Sequence, residues 1–168
     1  YESMAQQVSM ANDLRRTIEK HLLDFYIQGK YDLNGRLKGG EVLCRWISGL
    51  HGVVSPGVFI PIAEEQNLDS AIGLQAIEAA CDYISIMESQ QGGAIPLSVN
   101  ISANQLLDSD FPEQAVKICE DNHVSPEYIE LELTESVFIR DEKSAFKALH
   151  HLRECGFRLS LDDFGTGF

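Results

Sequence analysis

Glu41, Asn100, Glu132 and the Asp162-Asp163 pair are the residues whose types and spacing could do chemistry in this sequence. Each stands in or at the end of a short apolar run: Gly40-Glu41-Val42-Leu43, Leu97-Ser98-Val99-Asn100, Ile129-Glu130-Leu131-Glu132 and Leu159-Ser160-Leu161-Asp162-Asp163. Such runs read as strands, and a strand covered on both faces has no use for an acid or an amide. Period-two geometry puts Ser98 with Asn100, Glu130 with Glu132 and Ser160 with Asp162 on one face, leaving Val99, Leu131 and Leu161 to point toward covering helices. The steps from Asn100 to Glu132 (32 residues) and from Glu132 to Asp162 (30 residues) each match one strand-helix unit, so the three groups are expected at one level on successive strands. Oxygen donors converging without histidine or thiolate suit Mg²⁺ or Mn²⁺ better than zinc, and a divalent cation relieves the repulsion among crowded carboxylates. A single acid at a strand end would be read as merely solvated; a register matched over three strands favours a site. Glu135 and Asp163 could serve a second cation, support the first, or cap a helix.

The elements that must position these residues follow from pattern. Residues 1–12 are polar without a clear period and are expected to be a tail or linker. A helix is expected over residues 13–21, then a first strand over 23–28 and a second over 37–46. Pro61 is expected to open a short acidic helix, followed by a long helix over 69–89 that ends at Gln91-Gly92-Gly93. A third strand spans 94–101. Asp110 and Glu113 form a capping-box pattern for a helix through 121, and a fourth strand covers 128–133. Asp141 caps a helix to Cys155 with Gly156 as terminator, and the fifth strand covers 157–162. Strands alternating with helices give an α/β fold with a largely parallel sheet, whose strand C-termini are where ligands bind.

Composition bounds the partners. Thirteen Lys and Arg against 26 Asp and Glu give a net charge of −13, and the cations are scattered, which argues against a DNA or RNA polymer and against an anionic membrane surface. No apolar run approaches the roughly 20 residues of a spanning helix, and nothing reads as a secretory signal. Cys44, Cys81, Cys119 and Cys155 never form a C-x-x-C pair; each sits in an apolar segment, where a reduced core thiol and a cytoplasmic setting are expected.

Five ordered blocks then carry a resemblance: Glu41-Val42-Leu43-Cys44-Arg45-Trp46, Phe59-Ile60-Pro61-Ile62-Ala63-Glu64-Glu65, Val99-Asn100-Ile101-Ser102, Glu132-Leu133-Thr134-Glu135-Ser136 and Asp162-Asp163-Phe164-Gly165-Thr166-Gly167. In order, they closely resemble the signature blocks of the EAL-domain family of cyclic di-GMP phosphodiesterases, over residues 13–168. The resemblance implies a (β/α)₈ barrel of the TIM type whose first strand runs against the others. It also implies hydrolysis of one phosphodiester of cyclic di-GMP to linear pGpG at two Mg²⁺ or Mn²⁺ ions. Position by position, Glu41, Asn100, Glu132 and Asp162 resemble the metal ligands, Asp163 the residue serving the second metal, and Glu135 the residue steadying the loop at 163–168. Glu41, Asp162, Asp163 and Glu135 are thus the expected catalytic set. Gln28, Leu43 and Arg45 would line the substrate, the arginine facing a phosphate.

The chain departs from the family in three places. Glu-Val-Leu replaces Glu-Ala-Leu, and Ile27-Gln28-Gly29 replaces the usual Tyr-Gln-Pro. Five strands fill 168 residues, whereas an eight-stranded barrel takes about 250; an incomplete barrel lacking strands six to eight is expected, as part of a longer polypeptide. Alone it should turn over negligibly, and its open edge invites pairing with a second copy. A module that binds cyclic di-GMP or a protein partner without hydrolysis is the alternative that Val42, Ile27 and Gly29 motivate. A metal-dependent barrel enzyme abstracting a proton beside a carboxylate is the third reading.

Overall fold

The computed structural model describes residues 3–162, with the backbone alone of Asp162. The chain enters through helix α1 (Met4–Glu19), where Gln6 N donates to Ser3 Oγ at 3.2 Å and Ser3 N donates to Gln6 Oε1 at 3.0 Å, a reciprocal capping box. The expected tail is therefore corrected: from Met4 onward it is helix, and Met10 and Ala11 are buried with Leu14 and Ile18. The buried stripe begins only at Met10, so the first six residues of α1 show no hydrophobic period.

Strands β1 (Asp24–Tyr31), β2 (Leu37–Ser48) and β3 (Gly52–Val54) come next. Helix α2 (Pro56–Glu65) opens at Pro56 behind the cap Ser55, not at Pro61, which lies inside it. Proline at the first helical position costs no hydrogen bond, so Pro56 is the physically better start. Helix α3 (Asp69–Gln91) ends at Gly92 in the left-handed region, φ 74°, as the glycine signal implied. After β4 (Leu97–Asn100) a four-residue helix α4 (Ala103–Leu106), capped by Ser102, precedes α5 (Phe111–Asp121). The expected Asp110–Glu113 capping box is absent; Asp110 N instead donates to Asp108 Oδ1 at 2.9 Å, a local turn. A 3₁₀ turn at Pro126–Tyr128 leads into β5 (Ile129–Thr134), then α6 (Ser136–Arg140) and α7 (Glu142–Glu154). Asp141 caps α7 as expected, accepting from Ser144 N at 3.1 Å, and β6 (Arg158–Asp162) follows Gly156.

The strands lie in the order β1-β2-β4-β5-β6, with β3 paired to the far end of β2. β1 runs antiparallel to β2, while β2, β4, β5 and β6 are mutually parallel. The result is an α/β fold with a mixed sheet, an incomplete barrel wall with helices outside. Val42, Val99, Leu131 and Leu133 point outward into one core with Ile77, Ile84, Phe111 and Leu152 from the covering helices. Leu161, expected to face the helices as well, keeps 37 % of its surface exposed on the edge strand. A second core joins α1 and α2 to the far end of β2 through Leu14, Ile18, Trp46 and Phe59. Among the described residues no helix is long and apolar enough to cross a membrane, and all four cysteines are free.

Candidate functional site

The inward face of the sheet is polar where the outward face is apolar. Gln28 stands opposite Glu41, Glu41 opposite Ser98, and Ser98 opposite Glu130; one step higher, Asn100 stands opposite Glu132 and Glu132 opposite Ser160. Asn100 and Glu132 are thus level, as their spacing implied. Asp162 is not: its backbone pairs with Thr134, two residues above Glu132, and Glu41 sits two residues below Asn100. Strands in a barrel wall tilt against its axis, so same-face positions step by two residues, and equal spacing in sequence does not give equal height.

Despite the step, Asn100 Nδ2 donates to Glu41 Oε2 at 3.2 Å. Glu41 and Glu132 are half-buried and Asn100 is exposed. One layer deeper, Lys30 Nζ donates to Ser98 Oγ at 3.0 Å, and Ser98 Oγ donates to Glu130 Oε2 at 2.8 Å, so the floor beneath Asn100 and Glu132 is itself hydrogen-bonded. Asp163 and the loop at 163–168 lie outside the described residues, as does the side chain of Asp162. Among the described residues no three His, Cys, Asp or Glu side chains gather as a metal site; the expected set supplies two carboxylates and an amide there. That set still fits a hard divalent cation, because its donors are all oxygens, and the Asn100–Glu41 bond uses the amide nitrogen and leaves the carbonyl oxygen as donor.

Beside this row, against the middle of β2 and the C-terminal ends of β4 and β5, lies a cleft of about 400 Å³. Leu43, Arg45 and Asn100 line it with groups from α2, α3, α4 and α6. Gln28, Glu41 and Glu132 stand outside its lining, on the adjacent inward face. Glu135 is buried at the position preceding α6, where its side chain makes no capping hydrogen bond. Cys44 also lines the cleft; burial pushes its thiol up to about 12, Arg45 opposing and Asp24 adding to the effect, so it is a neutral lining group and not a nucleophile.

Several lining residues carry no isolated signal in the sequence: Asp69, Asn104, Gln105 and Arg140. The one available cue was Ser102, a good helix cap three residues before Gln105, whose backbone N–H it accepts at 3.1 Å. Gln105 is fully buried and donates through Nε2 to the Ser70 carbonyl at 2.9 Å. Its amide lies against Gly73, where an added Cβ would meet Oε1 at 2.1 Å and Nε2 at 2.3 Å. Gly73→Ala is therefore expected to destabilise the protein by about 1–3 kcal/mol, by displacing a buried, bonded amide. Urea unfolding measures this, and an unchanged midpoint would contradict the packing described.

The description "EAL domain" belongs to the family model that matches residues 11–168. The bifunctional diguanylate cyclase/cyclic di-GMP phosphodiesterase MucR of Pseudomonas aeruginosa is 31 % identical over 164 residues, covering 97 % of this chain and 24 % of MucR. A second P. aeruginosa protein, named a cyclic di-GMP phosphodiesterase, is 37 % identical over 144 residues, 84 % of this chain and 24 % of its own. The chain spans a quarter or less of these curated relatives. Among solved structures, the MucR phosphodiesterase in complex with cyclic di-GMP superposes with a TM-score of 0.86 at 31 % identity, covering 95 % of this chain and 65 % of that one. The EAL enzyme Bd1971, bound to cAMP and cyclic di-GMP, gives 0.86 at 30 % identity, covering 99 % and 46 %.

Proposed function

This chain belongs to the EAL domain family, and from that membership we propose that it forms part of a phosphodiesterase domain hydrolysing cyclic di-GMP to linear pGpG with Mg²⁺ or Mn²⁺. The observation that supports this reading best is the alignment of Gln28, Glu41, Asn100 and Glu132 on one inward face, with Arg45 on the adjoining cleft. MucR, which resembles this chain in sequence and fold, is named a phosphodiesterase and was solved with cyclic di-GMP.

Glu41, Asn100, Glu132 and Asp162 would hold the first cation and Asp163 the second. When bound, the cations supply Lewis-acid polarisation of the phosphoryl oxygens and a water acidic enough to attack at neutral pH. The chain's own residues prepare for this. Asn100 holds the Glu41 carboxylate in one orientation through the 3.2 Å bond. Arg45, exposed at the cleft, pairs its guanidinium fork with phosphate oxygens. Gln28 would face the substrate beside Glu41, Leu43 would pack against it, and Glu135 would take the supporting role that the family resemblance implies. A divalent site resolves the conflict between a −13 protein and an anionic substrate, since local charge governs binding. Free cysteines accord with a cytoplasmic setting.

The residues that motivated a non-hydrolytic module stand away from the ligand row. Val42 is buried on the helix-facing side of β2. Ile27 packs against that same core and fills the space over Gly40, where an added Cβ would meet Ile27 Cγ2 at 2.7 Å. Gly29 shares the face of Ile27, opposite to Gln28. The family match speaks against the proton-abstraction reading. The test is incubation of the protein at its native length with cyclic di-GMP: linear product should form with Mg²⁺ or Mn²⁺, stop with chelator and resume when the metal is restored. No product at saturating metal would overturn hydrolysis and leave binding alone.

A further inference from the structure

Three elements meet at the mouth of the cleft in a relay that the metal row does not use. Asp69, the first residue of α3, is a buried carboxylate at a helix N-terminus, where the backbone amides favour negative charge. Asn104 on α4 donates through Nδ2 to Asp69 Oδ2 at 3.4 Å. Arg140, the last residue of α6, donates through Nη1 to Asn104 Oδ1. A buried anion thus orients an amide, and the amide orients an exposed guanidinium on the cleft. Arg140 makes no ion pair among the described residues, so its remaining N–H groups stay free to meet a ligand.

The surroundings of Arg140 select the kind of ligand group. The cleft's lining includes the apolar Val42, Ile60, Ile72, Ala76 and Ile101, a surface for a flat ring; Arg45 takes the phosphate in the reading above, and the Asp69 carboxylate directly behind Asn104 disfavours a second phosphate at Arg140. A guanidinium fork matches the paired acceptors O6 and N7 on the edge of guanine, whereas adenine offers a donor, N6, beside N7. We propose that Arg140, held by the Asp69–Asn104 relay, reads the O6/N7 edge of a guanine base and makes this site selective for guanine over adenine cyclic dinucleotides. This rests on the cyclic di-GMP reading above and adds the residue that sets base specificity.

The experiment compares binding of cyclic di-GMP and cyclic di-AMP by calorimetry, in Ca²⁺, whose longer and looser coordination disfavours turnover. The unmodified protein should prefer the guanine ligand by about 10- to 100-fold, the range of a good bidentate arginine–guanine contact. Arg140→Lys keeps the charge and removes the fork; it should lose most of that preference while changing cyclic di-AMP affinity by no more than about twofold. Asn104→Ala should lose part of it, with Arg140 present but unheld. Melting temperatures monitor folding, and Arg140 is exposed enough for its replacement to leave them unchanged. A preference retained in Arg140→Lys, an equal weakening of both ligands by Arg140→Ala, or unselective binding by the unmodified protein overturns this assignment and leaves the cyclic di-GMP reading standing. Failure of the unmodified protein to bind either ligand overturns both.

Discussion

Glu41→Gln is expected to lower turnover of cyclic di-GMP by about a thousandfold or more, since loss of one anionic metal ligand forfeits several kcal/mol of charge stabilisation and each 1.4 kcal/mol is tenfold in rate. The substitution is close to isosteric, so it removes charge without removing volume. Glu41 is half-buried and sits between Gln28 and Ser98 on neighbouring strands, and its Oε2 accepts from Asn100 Nδ2. A glutamine there can still accept that hydrogen bond through its carbonyl oxygen, so the fold should survive with a melting temperature near that of the unmodified protein. What it cannot do is contribute a negative charge to a divalent cation. The defect should therefore show as a fall in kcat and a raised metal requirement, read by chromatography of the linear product over a Mn²⁺ titration. An unchanged kcat in Glu41→Gln would remove Glu41 from the metal set and with it the support the inward row gives to hydrolysis.

That row was legible in the sequence because strands impose a strict period. Once Val99 and Leu131 face the helices, Asn100 and Glu132 must face inward, and both do. Height was harder to read. Glu41 and Asp162 fall two residues below and above the Asn100–Glu132 level, since their heights depend on the tilt of a sheet that spacing along the chain cannot encode. The helix termini divided by mechanism. Gly92 and Asp141 acted through their own backbone or side chain and were read correctly, while Asp110 carried the right residue type and used its neighbour Asp108 instead. The short helices α4 and α6, of four and five residues, are below the length at which periodicity has any signal. They carry Asn104 and Arg140, and so the cleft, assembled from single residues on many elements, was invisible until the chain was folded. The capping box at Ser3 and Gln6 could have been seen; the polar run that followed concealed it.

Trp46→Ala is expected to cost about 3–5 kcal/mol, a large share of the roughly 5–15 kcal/mol that holds a domain folded. Trp46 is 1 % exposed and stands on the outward face of β2, where it meets Phe59 of α2 edge-on, ring centroids 5.9 Å apart at 80°. It joins Leu14 and Ile18 of α1 to the sheet, so its truncation opens a cavity where α1, α2 and β2 meet. Trp46 Nε1 is buried without a hydrogen-bond partner among the described residues. Trp46→Phe keeps the edge-on contact and discards that unpaired donor, which offsets part of the lost volume, and should cost only about 1–2 kcal/mol. Since Trp46 is the single tryptophan, far-UV circular dichroism during urea unfolding is the suitable probe for both variants. The consequence reaches the site, because the same strand carries Glu41, Leu43 and Arg45 and because Pro56, Ile60 and Glu64 of α2 form one wall of the cleft. Loosening that wall should weaken binding of cyclic di-GMP in Trp46→Ala even at temperatures where the protein remains folded, and leave it near normal in Trp46→Phe. Equal destabilisation by the two substitutions would show that the second core depends on the indole ring itself and not on the volume and edge-on contact argued for it.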